Sequence, residues 1–277
     1  MCSAFSTQSP IRLAVIVAAG GSSRRYNAST TDGGAERSKL DLELGGRPVL
    51  QRTVELFSAV ACVTKIIVAG PADAAAMREF KEKYSDKLGL MGVTICAGGA
   101  EHRYQTVQNA LALVPESCTH VAVHDAARPC CPAGLIERLL EAAEQFDAVI
   151  PGVPVPDTLK RVSATDVPNA KADPLAAIFG AASGPTFKGV SETIDRAGVW
   201  AVQTPQIFTR ELLLRAYAQA NLASTDDAQL VERLGERVVI VRGDVRNIKI
   251  TDEADLHLAR AILNVKARAE RPSHLKF

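Results

Sequence analysis

Short, strongly apolar runs rich in β-branched residues recur along this chain and alternate with amphipathic helical patterns. Several of the runs are apolar throughout, which is typical of strands buried on both faces of a parallel sheet. We predict strands at residues 13–18, 65–69, 93–97, 120–124, 148–153 and 238–241. The alternation therefore predicts an α/β fold with a doubly wound, mainly parallel sheet and helices on both of its faces.

Helical patterns fill the intervals between these runs. The segment 48–60 opens with a proline at a first-turn position and places Leu50, Val54 and Phe57 on one side. We predict further helices at residues 72–84, 104–114, 132–146, 212–219, 226–234 and 253–264. Because ligands of such sheets bind at the carboxyl ends of the strands, the residues just after each strand are the candidates for a site.

Two segments interrupt the alternation. Residues 25–38 are polar and rich in glycine, serine and threonine, which predicts a flexible loop that could act as a lid. Residues 157–199 form a long excursion between strands, which we interpret as a projecting arm. We expect the rest of 12–264 to be one domain, between a disordered lead-in at 1–11 and a solvated tail at 265–277.

Charge and cysteine content narrow the possible functions. The chain has 32 basic and 31 acidic residues, so we expect no nucleic-acid groove and no membrane-surface patch. It contains no apolar run of the roughly 20 residues that span a membrane and no pattern of a secretion signal at its start. The six cysteines lack zinc-site spacing, and we interpret them, Cys130 and Cys131 included, as reduced thiols of a cytoplasmic protein.

The first predicted strand is followed by AAGGSSRR at residues 18–25. Small residues let a backbone approach phosphate closely, and exposed amides there can cradle an anion, to which Arg24 adds positive charge. The segment matches neither common glycine-rich nucleotide motif, so a simple tight turn stays an alternative. Lys39 follows the polar loop and could close over a triphosphate, although a solvated surface lysine is the alternative.

The third strand leads into GGAEHRYQT at residues 98–106. Its two glycines permit close packing against a flat base, and Arg103 and Thr106 open a helix whose first groups can meet a ligand. A loop with an ordinary capped helix is the alternative. In TDDA at residues 225–228, Asp226 and Asp227 begin a helix after Thr225, so N-capping explains the motif.

The fourth strand ends in HDAARP at residues 124–129. Asp125 stands where a carboxylate can hold Mg²⁺ beside phosphates. Arg128 can pair with a phosphate through two nitrogens. We assign His124 a structural hydrogen-bonding role rather than that of a base, since phosphoryl-type transfer depends more on positioning and charge neutralisation.

Together these segments resemble the methylerythritol-phosphate cytidylyltransferase family. AAGGSSRR, SKLDLELGG, HDAARP, DTLKR, ETIDRAGVWAVQTPQIF, TDDA and NIKIT occur in the family's order over residues 12–264. The resemblance implies a Rossmann-like nucleotidyltransferase sheet with a projecting arm, and transfer of CMP from CTP to 2-C-methyl-D-erythritol 4-phosphate. It also implies Mg²⁺ as cofactor and a homodimer formed through the arm.

The resemblance further implies individual roles. Residues that line the phosphates and ribose of CTP would be Ala18, Ala19, Gly20 and Ser22. Arg24 and Lys39 would be catalytic, neutralising charge on the α-phosphate, while Asp125 would bind the metal. Gly99 and Thr106 would contact cytosine or ribose. Residues that hold the polyol phosphate would be Arg128, Thr158, Arg196, Thr204 and Lys249, some of them reaching the site from the partner's arm.

The chain departs from the family pattern in places. The spacing between Arg24 and Lys39 is longer than in the family, Thr106 stands where serine is usual, and the arm has extra residues around 164–188. Ribitol 5-phosphate is the alternative acceptor. HDAARP and QTPQ disfavour a sugar-1-phosphate or molybdopterin nucleotidyltransferase, and the presence of every expected cation and metal ligand disfavours a non-enzymatic nucleotide-binding module.

Overall fold

The structure is a computed structural model that describes residues 10–21, 23–29, 38–167 and 187–266, apart from the side chains of Arg24 and Arg25. It divides into two compact units. The first contains the described residues up to Val153 and those from Val202 onward, and the second is Pro154–Ala201. The second unit brackets the range predicted for the arm.

The described elements follow the predicted alternation. The strands are β1 (Leu13–Ala18), β2 (Glu43–Leu44), β3 (Arg47–Pro48), β4 (Val63–Gly70), β5 (Val93–Ala97), β6 (His120–Asp125), β7 (Ala148–Pro154), β8 (Leu159–Val167), β9 (Phe187–Ile194), β10 (Trp200–Val202), β11 (Gln206–Thr209) and β12 (Val239–Arg242). The α-helices are α1 (Arg24–Ser29), α2 (Val49–Ser58), α3 (Ala74–Gly89), α4 (Arg103–Leu111), α5 (Ala133–Ala143), α6 (Arg210–Tyr217), α7 (Ala228–Glu232) and α8 (Glu253–Ile262). A 3₁₀ turn spans Lys39–Asp41.

One large sheet has the strand order β10-β7-β11-β6-β1-β4-β5, and β12 also pairs with β7. Strands β6, β1, β4 and β5 are parallel to their neighbours in that run, and β12 is parallel to β7. Strand β11 runs antiparallel to both β6 and β7. The predicted α/β class with a mainly parallel sheet is confirmed, whereas the antiparallel strand β11 was not predicted.

The register brings three chain segments to one edge of the sheet. Ala18 at the end of β1 pairs with Asp125 at the end of β6, and on its other side with Ala69 near the end of β4. Because β11 is antiparallel, its first residue Gln206 pairs with Val123 close to the same edge. The residues that precede β11 therefore meet the residues that follow β1 and β6.

Apolar residues are buried on both faces of the sheet. Along β1, Val15 belongs to one core cluster and Ile16 to the other, and both are fully buried. Phe57 of α2 packs into the first cluster and Val107 of α4 into the second. Helices therefore cover the two faces, as a doubly wound sheet requires.

The second unit contains an antiparallel pair of strands. Strand β8 pairs with β9, with Leu159 opposite Ile194, and the register shifts near Val162. Four of its large apolar side chains are exposed, namely Val162, Val167, Phe187 and Val190. The extra segment predicted at 164–188 lies mostly outside the described residues, as do the predicted lead-in, loop and tail at 1–11, 25–38 and 265–277.

Two further expectations concern cysteines and membranes. The cysteines among the described residues carry free thiols, and Cys130 and Cys131 are buried. Burial raises the pKa of Cys130 to about 11 and that of Cys131 to about 12, so both thiols stay protonated and act as small apolar side chains. Within the described residues, no helix combines the length and the apolar character needed to cross a bilayer.

Candidate active site

A cavity of about 510 Å³ lies at the carboxyl ends of β1 and β6. Its walls come from the loop after β1, the turn that begins at Lys39, the start of α4 and the segment 249–251. Residues predicted for the site that line this cavity are Ala18, Ala19, Gly20, Lys39, Gly99, Thr106, Asp125 and Lys249. Residues that are far apart in the sequence thus meet at the carboxyl ends of the strands.

Glycines in the loops after β1 and β5 pack closely against the end of β4 and the start of α4. A Cβ on Gly20 would lie 2.9 Å from the carbonyl oxygen of Gly70, whereas one on Gly21 would meet nothing within 4 Å. The backbone N–H of Gly99 donates to Oγ1 of Thr106 at 3.0 Å, and a Cβ on Gly99 would lie 2.2 Å from Cβ of Gln105. Neither Gly20 nor Gly99 has room for a side chain, so the backbone packs tightly at both positions.

Lys39 begins the 3₁₀ turn, and hydrogen bonds fix it at both ends. Its backbone N–H donates to Oγ of Ser23 at 3.1 Å, and Oγ of Ser38 accepts from Leu40 at 3.3 Å. The Lys39 ammonium donates to the carbonyl oxygen of Ile250 at 2.8 Å. The ammonium of Lys39 thus lies beside the segment that also carries Lys249.

Helix α3 holds this turn from outside the cavity. The phenol of Tyr84 donates towards the carbonyl oxygen of Leu40 at 3.1 Å and is also hydrogen-bonded to Asp41. Lys83 forms an ion pair with the same carboxylate. Burial, together with Asp41, raises the pKa of Tyr84, so the phenol remains a donor. Two neighbouring residues of α3 thus fix the turn that presents Lys39.

Three cations surround Asp125, whose side chain is 12% exposed. Oδ2 lies 2.8 Å from Nζ of Lys249 and Oδ1 lies 3.3 Å from Nε of Arg103. Nε of Arg128 lies 3.7 Å from Oδ2, which is an ion-pair distance but too long for a hydrogen bond. Burial opposes ionisation, but the charges of Arg103 and Lys249 outweigh it and hold the pKa of Asp125 below its usual range.

A chain of hydrogen bonds shapes the loop between Asp125 and Arg128. The N–H of Asp125 donates to Oγ1 of Thr204 at 3.0 Å. Thr204 Oγ1 lies 3.2 Å from Nδ1 of His124, and Nε2 of His124 lies 3.1 Å from the carbonyl oxygen of Arg128. Burial lowers the pKa of His124 to about 4. The neutral ring therefore donates a hydrogen bond from Nε2 to the carbonyl oxygen and accepts one from the Thr204 hydroxyl at Nδ1.

These bonds give His124 the structural role predicted for it. They also engage the hydroxyl of Thr204 within the protein, since that side chain is only 5% exposed. The guanidinium of Arg128 also has a partner within the protein, because its Nη1 donates to the carbonyl oxygen of Asn247 at 2.7 Å. Contacts of Thr204 and Arg128 with a polyol phosphate stay predictions.

The remaining predicted residues are not placed in this cavity. Thr158 and Arg196 belong to the second unit. Ser22 and the side chain of Arg24 lie outside the described part of the chain. Their roles also stay predictions.

Sequence reasoning missed the part that Arg103 plays. Its Nη1 lies 2.7 Å from Oδ2 of Asp227, so one guanidinium joins Asp227 to Asp125. N-capping was predicted to explain TDDA, and of its two aspartates only Asp226 accepts a backbone bond of that kind, from Gln229 at 3.1 Å. Local spacing carries no sign of a partner more than a hundred residues away.

The donor set suits a metal that is shared with phosphates. Among the described residues, no three or more histidine, cysteine, aspartate or glutamate side chains cluster as metal ligands. Mg²⁺ at nucleotide sites needs only one or two carboxylates, because substrate phosphates and water supply the other oxygens. An ionised carboxylate on the cavity wall, Asp125, fits that requirement.

Glycine walls and converging cations at the ends of parallel strands define an α/β protein that binds a phosphorylated nucleotide. The family model described as "IspD: 2-C-methyl-D-erythritol 4-phosphate cytidylyltransferase" matches residues 13–174 and 181–265. The chain belongs to this family, and the resemblance found in its motifs is confirmed. The predicted enzyme class, a cytidylyltransferase, is confirmed with it.

Individual relatives agree with this assignment. The 2-C-methyl-D-erythritol 4-phosphate cytidylyltransferase of Symbiobacterium thermophilum is 37% identical over 263 residues, which cover 93% of this chain and 95% of the relative. That of Frankia casuarinae is 39% identical over 258 residues, covering 91% and 81%. The crystal structure of the Thermus thermophilus cytidylyltransferase has 31% identity and a TM-score of 0.63, over 92% of this chain and all of that one.

Proposed function

We propose that this chain transfers CMP from CTP to 2-C-methyl-D-erythritol 4-phosphate, with release of pyrophosphate. The product is 4-diphosphocytidyl-2-C-methyl-D-erythritol. The observation that carries this proposal is the convergence of Lys39, Lys249 and Asp125 on one glycine-walled cavity, in a chain whose relatives bear the name of that enzyme.

The proposed reaction requires no covalent bond between the protein and a substrate. A phosphate oxygen of the acceptor attacks the α-phosphorus of CTP, the bond from that phosphorus to the bridging oxygen breaks, and pyrophosphate leaves in line. A phosphate monoester is already a nucleophile, so no general base is needed. Charge builds up on the α-phosphoryl oxygens in the transition state, and preorganised cations accelerate the reaction by stabilising that charge.

We assign this stabilisation to Lys39 and Arg24. The ammonium of Lys39 is held at 2.8 Å from the carbonyl oxygen of Ile250, so it is oriented before CTP arrives. A cation that is already ordered loses little conformational entropy when the transition state forms. Arg24 is the first residue of α1, which follows the loop after β1, and its guanidinium is the proposed second cation.

The nucleotide is proposed to lie against the glycine walls. The phosphates and ribose would contact Ala18, Ala19, Gly20 and Ser22. Cytosine or ribose would contact Gly99 and Thr106, where the side chain of Thr106 is held by its bond from the Gly99 N–H. The absence of side chains at Gly20 and Gly99 supports a close approach of the ligand to the backbone there.

We propose that Asp125 binds Mg²⁺ together with phosphates of CTP. When bound, the metal would neutralise phosphate charge. Lys249 and Arg103 keep the carboxylate ionised, which a ligand of a hard cation must be.

The acceptor site and the assembly are proposed on the family resemblance. The phosphate of the polyol would contact Arg128, Thr158, Arg196, Thr204 and Lys249. Of these, the ammonium of Lys249 lies at the cavity wall and its side chain is 35% exposed. We propose a cytoplasmic homodimer formed through the second unit, whose exposed apolar side chains on β8 and β9 would suit burial against a partner.

The test is magnesium-dependent pyrophosphate release from CTP. The arms are 2-C-methyl-D-erythritol 4-phosphate, ribitol 5-phosphate and no acceptor. We expect release with the methylerythritol compound alone. Release with ribitol 5-phosphate alone would overturn the acceptor, and silence in every arm would overturn the activity.

A variant then tests the catalytic assignment. We expect Lys39→Ala to lower kcat about a hundredfold or more while changing the KM for CTP much less. Lys81→Ala is the matched control, since Lys81 is exposed on α3 and lines neither this cavity nor the neighbouring one of about 660 Å³. A Lys39 variant with normal kcat and a raised KM would contradict the role.

A further inference from the structure

Arg103 connects two carboxylates that have different surroundings. It is the first residue of α4, and its side chain is 28% exposed. Nε faces Oδ1 of Asp125 at 3.3 Å, and Nη1 faces Oδ2 of Asp227 at 2.7 Å. Asp125 lines the cavity, whereas the side chain of Asp227 is 1% exposed and lies behind Arg103.

The second oxygen of Asp227 is also engaged. Oδ1 accepts a hydrogen bond from the phenol of Tyr217, a residue of α6 that is 6% exposed. Burial, and then the charge of Asp227, raise the pKa of Tyr217, so the phenol keeps its proton and donates. Both oxygens of Asp227 therefore have fixed partners on other elements of the fold.

Helix capping does not account for this carboxylate. Asp227 stands at the first position before α7, yet its side chain makes no capping bond there. The neighbouring Asp226 accepts from Gln229 at 3.1 Å and from the side chain of Gln206 at 2.8 Å. The two aspartates of this motif thus have different roles. Asp226 caps the helix, and Asp227 binds Arg103.

A guanidinium is suited to such a bridge. Its nitrogens form a planar, rigid fork, so fixing one nitrogen on Asp227 fixes the direction of the others. Leaving the buried Asp227 carboxylate without its partner would strongly destabilise the folded protein, so the ion pair with Arg103 is maintained. Nε of Arg103 therefore defines where Oδ1 of Asp125 lies, while Lys249 occupies Oδ2.

We infer that Asp227 and Tyr217 are positioning residues that act through Arg103 to orient the Asp125 carboxylate for metal-bound nucleotide. The inference deepens the proposed function and rests on it, because it concerns the residue assigned to Mg²⁺ and CTP. It predicts that changes at Asp227, which does not line the cavity, alter the metal dependence of the reaction.

The decisive variant is Asp227→Asn, with Asp226→Asn as the matched control from the same motif. Loss of such a supporting partner typically costs about 10–100-fold in metal affinity or activity. We therefore expect Asp227→Asn to raise the half-saturating metal concentration and lower kcat by about tenfold or more. Asp226→Asn should leave the metal titration unchanged. Tyr217→Phe, which removes only one hydroxyl, should shift it in the same direction by a smaller factor.

The measurement has two readouts. One is kcat and KM for CTP as a function of Mg²⁺. The other is Mn²⁺ binding in the presence of CTP and without acceptor, followed by electron paramagnetic resonance, which needs no turnover. Thermal unfolding of each variant shows that it is folded at the assay temperature.

A folded Asp227→Asn variant with unchanged metal binding and unchanged kcat would overturn the inference, even if its melting temperature falls. Where Asp227→Asn does not fold, Tyr217→Phe decides by the same criterion. A wild-type protein that releases no pyrophosphate would refute the proposed function instead. The two failures are therefore distinguishable.

Discussion

Acidification should destabilise this protein through His124. The ring is fully buried and neutral, with a pKa of about 4 in the folded protein against 6.5 for a free side chain. Between these two values the unfolded chain binds a proton that the folded chain does not. The stability contributed by His124 is therefore fully present above pH 6.5 and is lost as the pH falls towards 4.

The size of the effect follows from the shift. Each pKa unit corresponds to about 1.4 kcal/mol, so a shift from 6.5 to about 4 amounts to about 3 kcal/mol of unfolding free energy. His120 is also half-buried with a lowered pKa and acts in the same direction. A variant is therefore needed to isolate His124, and His124→Gln retains a donor for the carbonyl oxygen of Arg128.

Urea unfolding at several pH values between about 7 and 4.5 measures this difference. The unfolding free energy of the wild type should fall more steeply than that of His124→Gln, and the two curves should converge as the pH drops. In parallel, NMR titration of the wild-type ring should show His124 neutral through pH 5. Parallel stability curves, or a His124 resonance that titrates near pH 6.5, would refute the reasoning.

Three further substitutions test the walls and supports of the site. Gly20→Ala should weaken CTP binding in calorimetry, because its Cβ would press on the carbonyl oxygen of Gly70, while Gly21→Ala should bind normally; equal affinities would contradict this. Thr53→Val should lower the unfolding free energy by about 1–3 kcal/mol in urea titrations, since the carbonyl oxygen of Ala126 loses its buried donor. Tyr84→Phe should cost about 1 kcal/mol in the same assay, and a neutral result would show that its hydroxyl bonds add nothing.

The bounds of two strands were predicted correctly. Strands β1 and β5 have the bounds expected for them, Leu13–Ala18 and Val93–Ala97. Strand β1 is an uninterrupted apolar run, so the sequence shows its burial directly, whereas β5 lies at the edge of the sheet and is only partly buried. Strand β11 has only four residues and owes its position to pairing with β6 and β7, so its existence depends on partners that no local pattern reveals.

The same distinction between local pattern and distant contacts applies to the site. Asp125 and Gly20 lie at one cavity, as expected, because a parallel sheet gathers the ends of its strands at one edge. The link from Asp227 to Arg103 was not found, because it joins a short helix to a distant one through side chains alone. The bonds of the Thr204 hydroxyl to His124 and to the backbone of Asp125 were not predicted either, because they depend on the segment before β11 packing beside β6.

The two ends of the excursion over residues 154–201 lie close together, which determines how well the protein tolerates insertions there. The N–H of Gln203 donates to the carbonyl oxygen of Pro151 at 2.8 Å, so the excursion over residues 154–201 leaves and re-enters the first unit at neighbouring points. Closing a loop twice as long costs only about 0.6 kcal/mol more. Insertions within the excursion therefore destabilise the sheet very little, and relatives can vary in that segment while the edge that carries Asp125 stays the same.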